Sequence, residues 1–267
     1  MYYKELNNKR MMPQLGIGGF AQNKEGIQWA LESGYRLIDT AAQYGNETEV
    51  GAAIRESGVS REEIFLTTKL WTQDIRQGRT YEAFQESLER LQMDYVDLYL
   101  IHWPAEGYED AWKVMEGLYR EGKARAIGVS NFHVCHLDKL KEVAEVVPSV
   151  NQIESHPYFC NQELVDFCMG QGMAVEAWCP LGGAGSRLLD DEALVGLANK
   201  YGKTAAQVVI RWHLQRGIIV FPKSARRERM ESNLDVFDFV LSQGDMDLIF
   251  GMDKNRRVGA NPEDFDF

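Results

Sequence analysis

The chain has 267 residues, a formal net charge of −11 and four cysteines. With 40 Asp and Glu against 29 Lys and Arg, nucleic acid and anionic membrane surfaces would repel it, and neither is expected as a partner. No apolar run approaches the roughly 18 residues that span a bilayer, MYYKELNNKRMM has no apolar signal core, and Cys135, Cys160, Cys168 and Cys179 form no CxxC pair; the expectation is a cytoplasmic chain with reduced thiols, folded as one domain over residues 1–267.

In chain order, YYKEL-NNKR-MMPQL (2–15) reads as a β-hairpin with Asn7 and Asn8 in its turn. Short apolar runs then alternate with longer amphipathic ones. QLGIGGF (14–20) and YRLID (35–39) read as strands, TEVGAAIRESG (48–58) as a helix, IFLTTKL (64–70) as a strand, TYEAFQESLERLQ (80–92) as a helix and VDLYLIH (96–102) as a strand. DAWKVMEGLYREGK (110–123), VCHLDKLKEVAE (134–145), NQELVDFCMGQG (161–172) and TAAQVVIRWHLQRG (204–217) are further helices, several opening on Thr, Asp or Asn and closing on Gly. RAIGVS (125–130), SVNQIE (149–154), AVEAW (174–178) and GIIVF (217–221) bring the strands to eight. Strands separated by helices cannot pair as hairpins, so the sheet is expected to be parallel and the class α/β. Eight such units predict a closed (β/α)8 TIM barrel, with the N-terminal hairpin plugging its bottom.

In a barrel, polar groups at the C-terminal strand ends share one mouth. Here the strands end on Asp39, Lys69, His102, Ser130 with Asn131, Gln152, Trp178, and a run of Pro222, Lys223 and Ser224. Singly, such an Asp is commonly a helix cap and such a Lys a solvated side chain; accumulated at one mouth, they suggest chemistry. GYRLIDTAAQYGN (34–46) adds Tyr44, five positions after Asp39. A free phenol ionises near pH 10, and a neighbouring ammonium lowers that value. Lys69 could supply the cation, Asp39 could keep it charged, and His102 could orient a substrate oxygen. The set is a general acid with tuning partners. Glu154 and His156 stand at metal-like spacing without a third ligand, which favours a structural role. A hydride donor is the missing reactant.

The blocks GYRLIDTAAQYGNE, LTTKLW, DLYLIHWP, AIGVSNF, NQIESHPY and VFPKSARRERMESN resemble those of the aldo-keto reductases, in order, from the hairpin to about Asn255. The resemblance implies NADPH/NADP+-dependent carbonyl reduction, with Tyr44 as proton donor completed by Asp39, Lys69 and His102. It also implies that Ser130, Asn131 and Gln152 hold the nicotinamide carboxamide, that Trp178 stacks on the ring where tyrosine is usual, and that Gly19, Thr40, Pro180 and Leu181 line the cofactor. By composition alone, Lys223 with Arg226, Arg227 and Arg229 is a solvated helix face; the resemblance makes Lys223, Ser224, Arg229 and Asn233 the contacts of an adenosine 2'-phosphate and adenine. Ser232 stands where an acidic residue often precedes the matching asparagine, and GGAGSRLL (182–189) is short for a loop clasping the pyrophosphate, so fast cofactor release is expected.

Phe20, Trp71 and Trp103 follow strand ends and are expected to wall the substrate site. The loop AEGYED and the ending GANPEDFDF are short, which predicts an open mouth for small polar carbonyls such as methylglyoxal, glyoxal or keto-sugars, as in the prokaryotic 2,5-diketogluconate and glyoxal reductase branch. A monomer is expected. Two alternatives are a non-catalytic, NADPH-bound sensor of the same fold, against which the intact tetrad argues, and a metal-dependent hydrolase or isomerase, for which no ligand cluster or phosphate loop is present in the sequence.

Overall fold

The structure, a computed structural model, describes residues 2–183 and 185–267. Two antiparallel strands come first, β1 (Tyr3–Glu5) and β2 (Met11–Pro13). Eight parallel strands follow: β3 (Ile17–Gly18), β4 (Leu37–Asp39), β5 (Phe65–Leu70), β6 (Leu98–Ile101), β7 (Ile127–Ser130), β8 (Val150–Glu154), β9 (Ala174–Trp178) and β10 (Ile219–Val220). Each pairs with its sequence neighbour. Gly16 N donates to Val220 O at 2.8 Å and Val220 N to Gln14 O at 2.9 Å, joining the last strand to the approach of the first and closing the barrel.

The helices are α1 (Lys24–Ser33), α2 (Glu47–Glu56), α3 (Thr72–Arg76), α4 (Thr80–Leu91), α5 (Tyr108–Arg120), α6 (Val134–Lys141), α7 (Gln162–Gly170), α8 (Glu192–Tyr201), α9 (Ala205–Gln215), α10 (Arg227–Leu234) and α11 (Gln243–Phe250). Helix α9 opens on a reciprocal Thr204–Gln207 capping box, the signal its sequence carries. Helix α6 stops four residues short of the expected end, and the backbone N–H groups of Glu145 and Val146 donate to Glu116 Oε1 instead of continuing the helix.

Alternation along the strands divides the barrel interior into tiers. At the bottom, Leu37, Phe65, Leu98, Leu100, Ala126, Val150, Ala174 and Ile219 form one apolar cluster, and Leu6 and Met12 of the hairpin join it as the plug. Asn7 Nδ2 donates to Pro148 O and Asn8 Nδ2 to Arg125 O, both at 3.1 Å, which fastens the hairpin turn to the starts of β7 and β8. Two residues further up the same strand faces stand Asp39, Thr67, Gln152 and Glu176, all buried. The apolar tier carries stability, and the polar tier must satisfy itself.

Candidate active site

Lys69, on β5, is fully buried. Its Nζ donates to Asp39 Oδ2 at 2.7 Å and to the Thr40 carbonyl at 2.9 Å, and lies 3.4 Å from the Tyr44 hydroxyl. Burial penalises the ammonium, yet Asp39 and then Tyr44 outweigh it, and the lysine is held above its ordinary value. It is a cation at every physiological pH.

Tyr44 sits on a one-turn 3-10 helix, Ala42–Tyr44, which Gly45 closes at φ 67°, a left-handed conformation glycine adopts without strain. Asn46 fixes this turn: its Nδ2 donates to Gly19 O at 2.7 Å and Gln22 O at 2.9 Å, and its Oδ1 accepts from Thr40 Oγ1 at 2.8 Å. The residue is half-buried overall, with its hydroxyl inward beside the Lys69 ammonium. Here the structure corrects the sequence expectation of a phenol made more acidic. Burial raises the phenol above its ordinary value; Lys69 opposes that shift without reversing it, and Asp39 adds to it. Tyr44 is therefore stored protonated.

His102, just past β6, stacks edge-on to Tyr44 with ring centroids 5.7 Å apart. Burial, then the Lys69 charge, pushes its imidazole well below the ordinary histidine value, so it is neutral and can donate one N–H. Its Nδ1 has no partner among the described residues.

The remaining strand-end groups bond to one another. Ser130 Oγ donates to Gln152 O at 3.0 Å; Asn131 Nδ2 donates to His102 O at 3.0 Å and Ser130 Oγ at 3.1 Å; and Asn131 Oδ1 accepts from Trp178 Nε1 at 2.8 Å. Gln152 Nε2 points inward, donating to Asp39 Oδ1 and Glu176 Oε2, both at 2.9 Å. Past the end of β10, Lys223, Arg226 and Arg229 are exposed and have no carboxylate partner among the described residues, whereas Arg227 is engaged by Glu32 and Glu231. Helix α10 begins there with no side-chain cap, leaving backbone N–H groups free beside the cations.

Phe20 is 62% exposed and stands edge-on to Tyr44 at 5.3 Å. Trp71 packs against His102 at 5.1 Å. The C-terminal residues cross the mouth: Phe267 stacks on Trp71 at 5.7 Å and meets Trp103 edge-on at 5.1 Å, and Phe265 lies 5.2 Å from Trp103. The ending, short in sequence, thus folds back over the barrel and adds Phe265 and Phe267 to Phe20, Trp71 and Trp103 beside the mouth.

The aldo/keto reductase family model matches residues 19–254. The chain is 50% identical to glyoxal reductase of Bacillus subtilis, over 98% of this chain and 97% of that protein. The chain belongs to the aldo/keto reductase family. Methylglyoxal reductase DkgA of Escherichia coli is 45% identical over 98% of this chain and 97% of its own length. The crystal structure of an aldo-keto reductase enzyme from a Medee basin deep-sea metagenome library superposes with a TM-score of 0.96 at 44% identity, covering 100% of both chains. As an aldo/keto reductase, the protein is an oxidoreductase that reduces carbonyls, and its family uses a nicotinamide cofactor.

Several residues of this aldo/keto reductase escaped the sequence reading. Glu176 was visible only as part of a strand, although its spacing of two from Trp178 places both on the inner face. Asn46 looked like a turn residue. Glu154 is no half of a metal site: it accepts from Val258 N at 2.5 Å, Gly259 N at 3.1 Å and His156 Nε2 at 3.1 Å, and so pins the tail. No group of three metal-ligating side chains occurs among the described residues. No helix among them is long and apolar enough to cross a membrane. Of the glycine-rich segment 182–189, Ala184 lies outside the described residues.

Proposed function

We propose that the protein is an NADPH-dependent reductase of small, polar dicarbonyls and keto-sugars in which Tyr44 gives the proton to the carbonyl oxygen. The observation that carries this reading is the Tyr44 hydroxyl 3.4 Å from a Lys69 ammonium that Asp39 grips at 2.7 Å. When bound, the reduced nicotinamide supplies the hydride. The chain supplies the rest: Tyr44 holds a proton at the mouth, neutral His102 donates a hydrogen bond that orients the substrate oxygen, and Lys69 stabilises the phenolate left behind.

The side chains present fit that cofactor. An uncapped helix N-terminus with Lys223, Ser224 and Arg229 suits a phosphate dianion, with buried Asn233 behind it for the adenine. A Cβ at Gly19 would meet Asp39 O at 2.7 Å, so glycine there lets the chain after β3 pack directly against the end of β4, beside the proposed cofactor cleft. Ser130 and Asn131 would hold the carboxamide by exchanging part of their mutual bonding, Gln152 through its Oε1 while its N–H groups stay on Asp39 and Glu176, Trp178 would stack on the ring, and Thr40, Pro180 and Leu181 would line the cleft. Phe20, Trp71 and Trp103 would wall the substrate. The names of the relatives, glyoxal reductase and methylglyoxal reductase, support the substrate class. A single domain acting as a cytoplasmic monomer completes the reading.

The test is steady-state reduction of methylglyoxal, an aromatic aldehyde and a keto-acid, with NADPH or NADH at equal concentration, by the native protein and Tyr44→Phe. The expected result is preference for methylglyoxal and NADPH, and a loss of about 10²–10⁴-fold in Tyr44→Phe with cofactor binding retained. Equal turnover with NADH would overturn the cofactor, and undiminished turnover in Tyr44→Phe the proton donor.

A further inference from the structure

The polar tier contains one carboxyl group that the proposed chemistry does not use. Glu176, mid-strand on β9, is fully buried, in register with Gln152 of β8 on one side and Ile219 of β10 on the other. Its Oε2 accepts from Gln152 Nε2, whose second hydrogen goes to Asp39 Oδ1; its Oε1 has no partner among the described residues. A continuous path thus runs Glu176, Gln152, Asp39, Lys69, Tyr44, with links of 2.9, 2.9, 2.7 and 3.4 Å. One cation faces two carboxyl groups within it.

We infer that Glu176 is a positioning residue for carbonyl reduction: through Gln152 it fixes Asp39 against Lys69, and its charge state sets how readily Tyr44 gives up its proton. A glutamine amide bridging two carboxyl groups orients both, because its two N–H groups lie in one plane at a fixed angle. The charged groups facing Glu176 are Asp39 and Lys69; its β10 neighbour Ile219 is apolar. Burial, then Asp39, pushes the Glu176 carboxyl up to about 8. Below that value it is neutral and Asp39 and Lys69 balance. Above it, a second buried negative charge strengthens the hold on the Lys69 ammonium and makes loss of the Tyr44 proton harder, so reduction slows as pH rises through this range.

The inference rests on Tyr44 as proton donor. The experiment is single-turnover reduction of methylglyoxal by enzyme preloaded with reduced cofactor, from pH 6 to 9.5, for the native protein, Glu176→Gln, Glu176→Met and Tyr44→Phe. Glutamine keeps an acceptor for Gln152 but cannot ionise. The variant-to-native rate ratio is expected to climb by about three- to fivefold between the two pH limits, the partial rate effect of roughly one pKa unit at the phenol. A merely structural role would leave the ratio flat, and a flat ratio overturns the inference. Should Glu176→Gln fail to fold, Glu176→Met also lacks the titrating group and must give the same climb. Retained turnover in Tyr44→Phe would instead sink the proton-donor reading; an inactive Tyr44→Phe with a flat Glu176→Gln ratio removes only the role of Glu176.

Discussion

Lys69 shows how much a single buried cation decides. It is surrounded by barrel wall, and its charge is sustained by Asp39 alone among the carboxylates it touches. Removing one partner of a buried pair leaves the other uncompensated, a cost of roughly 3–5 kcal/mol. Lys69→Met should therefore destabilise the fold by about that amount, and the double variant Lys69→Met/Asp39→Asn should recover most of it, as read by urea unfolding. Equal stability of the two variants would mean that the pair is not an energetic unit. Reduction should be lost in both, because neither has a cation beside the phenol. That Asp39, Tyr44, Lys69 and His102 come together was legible because each ends or follows a strand, and a barrel gathers its strand ends at one mouth. The direction of the Tyr44 shift was not, since it depends on how deeply surrounding chain buries the hydroxyl, which no local pattern reports.

At the scale of elements, α10 and the tail divide the mouth between them. Helix α10 brings Lys223, Arg226 and Arg229 to an uncapped N-terminus in a protein of net charge −11, a local reversal of field that composition cannot distinguish from a solvated face. Under the proposed phosphate contact, Arg229→Ala should raise the KM for NADPH about tenfold, since a charge-assisted bond contributes roughly 1.5 kcal/mol or more, while leaving the KM for NADH unchanged. Parallel effects on both cofactors would place Arg229 elsewhere. The tail was the least legible element. GANPEDFDF has no periodicity, and its position is set by distant partners: Glu154 accepting from Val258 and Gly259, His133 between Arg257 and Glu263, and Phe267 on Trp71. Gly259 passes so close to Trp178 that a Cβ would lie 2.4 Å from its indole. Tail and Trp178 are thus in direct contact, a relation that only the folded chain creates.

Over the whole molecule, eight strand runs and the hairpin were readable because short apolar runs alternate with longer amphipathic ones; the caps were less so, since of Thr80, Asp110, Asn161 and Thr204 only Thr204 bonds the start of its helix. The division into tiers was readable only in part. Leu37, Val150 and Ala174 below, and Asp39, Gln152 and Glu176 above, differ by two positions along shared strand faces, but sequence alone does not say which strand face turns inward when both are apolar. The outcome is a barrel whose bottom supplies stability and whose upper interior holds charges in a low-dielectric setting. That setting, rather than any one neighbour, keeps the Tyr44 proton in place. The most direct measurement is the ionisation of Tyr44 followed by NMR of ring-labelled tyrosine in the native protein, assigned with Tyr44→Phe. The resonance should remain that of a protonated phenol through pH 9 and titrate above the ordinary value near 10. A phenolate already formed at pH 7 would contradict the account, since no proton would remain for the carbonyl.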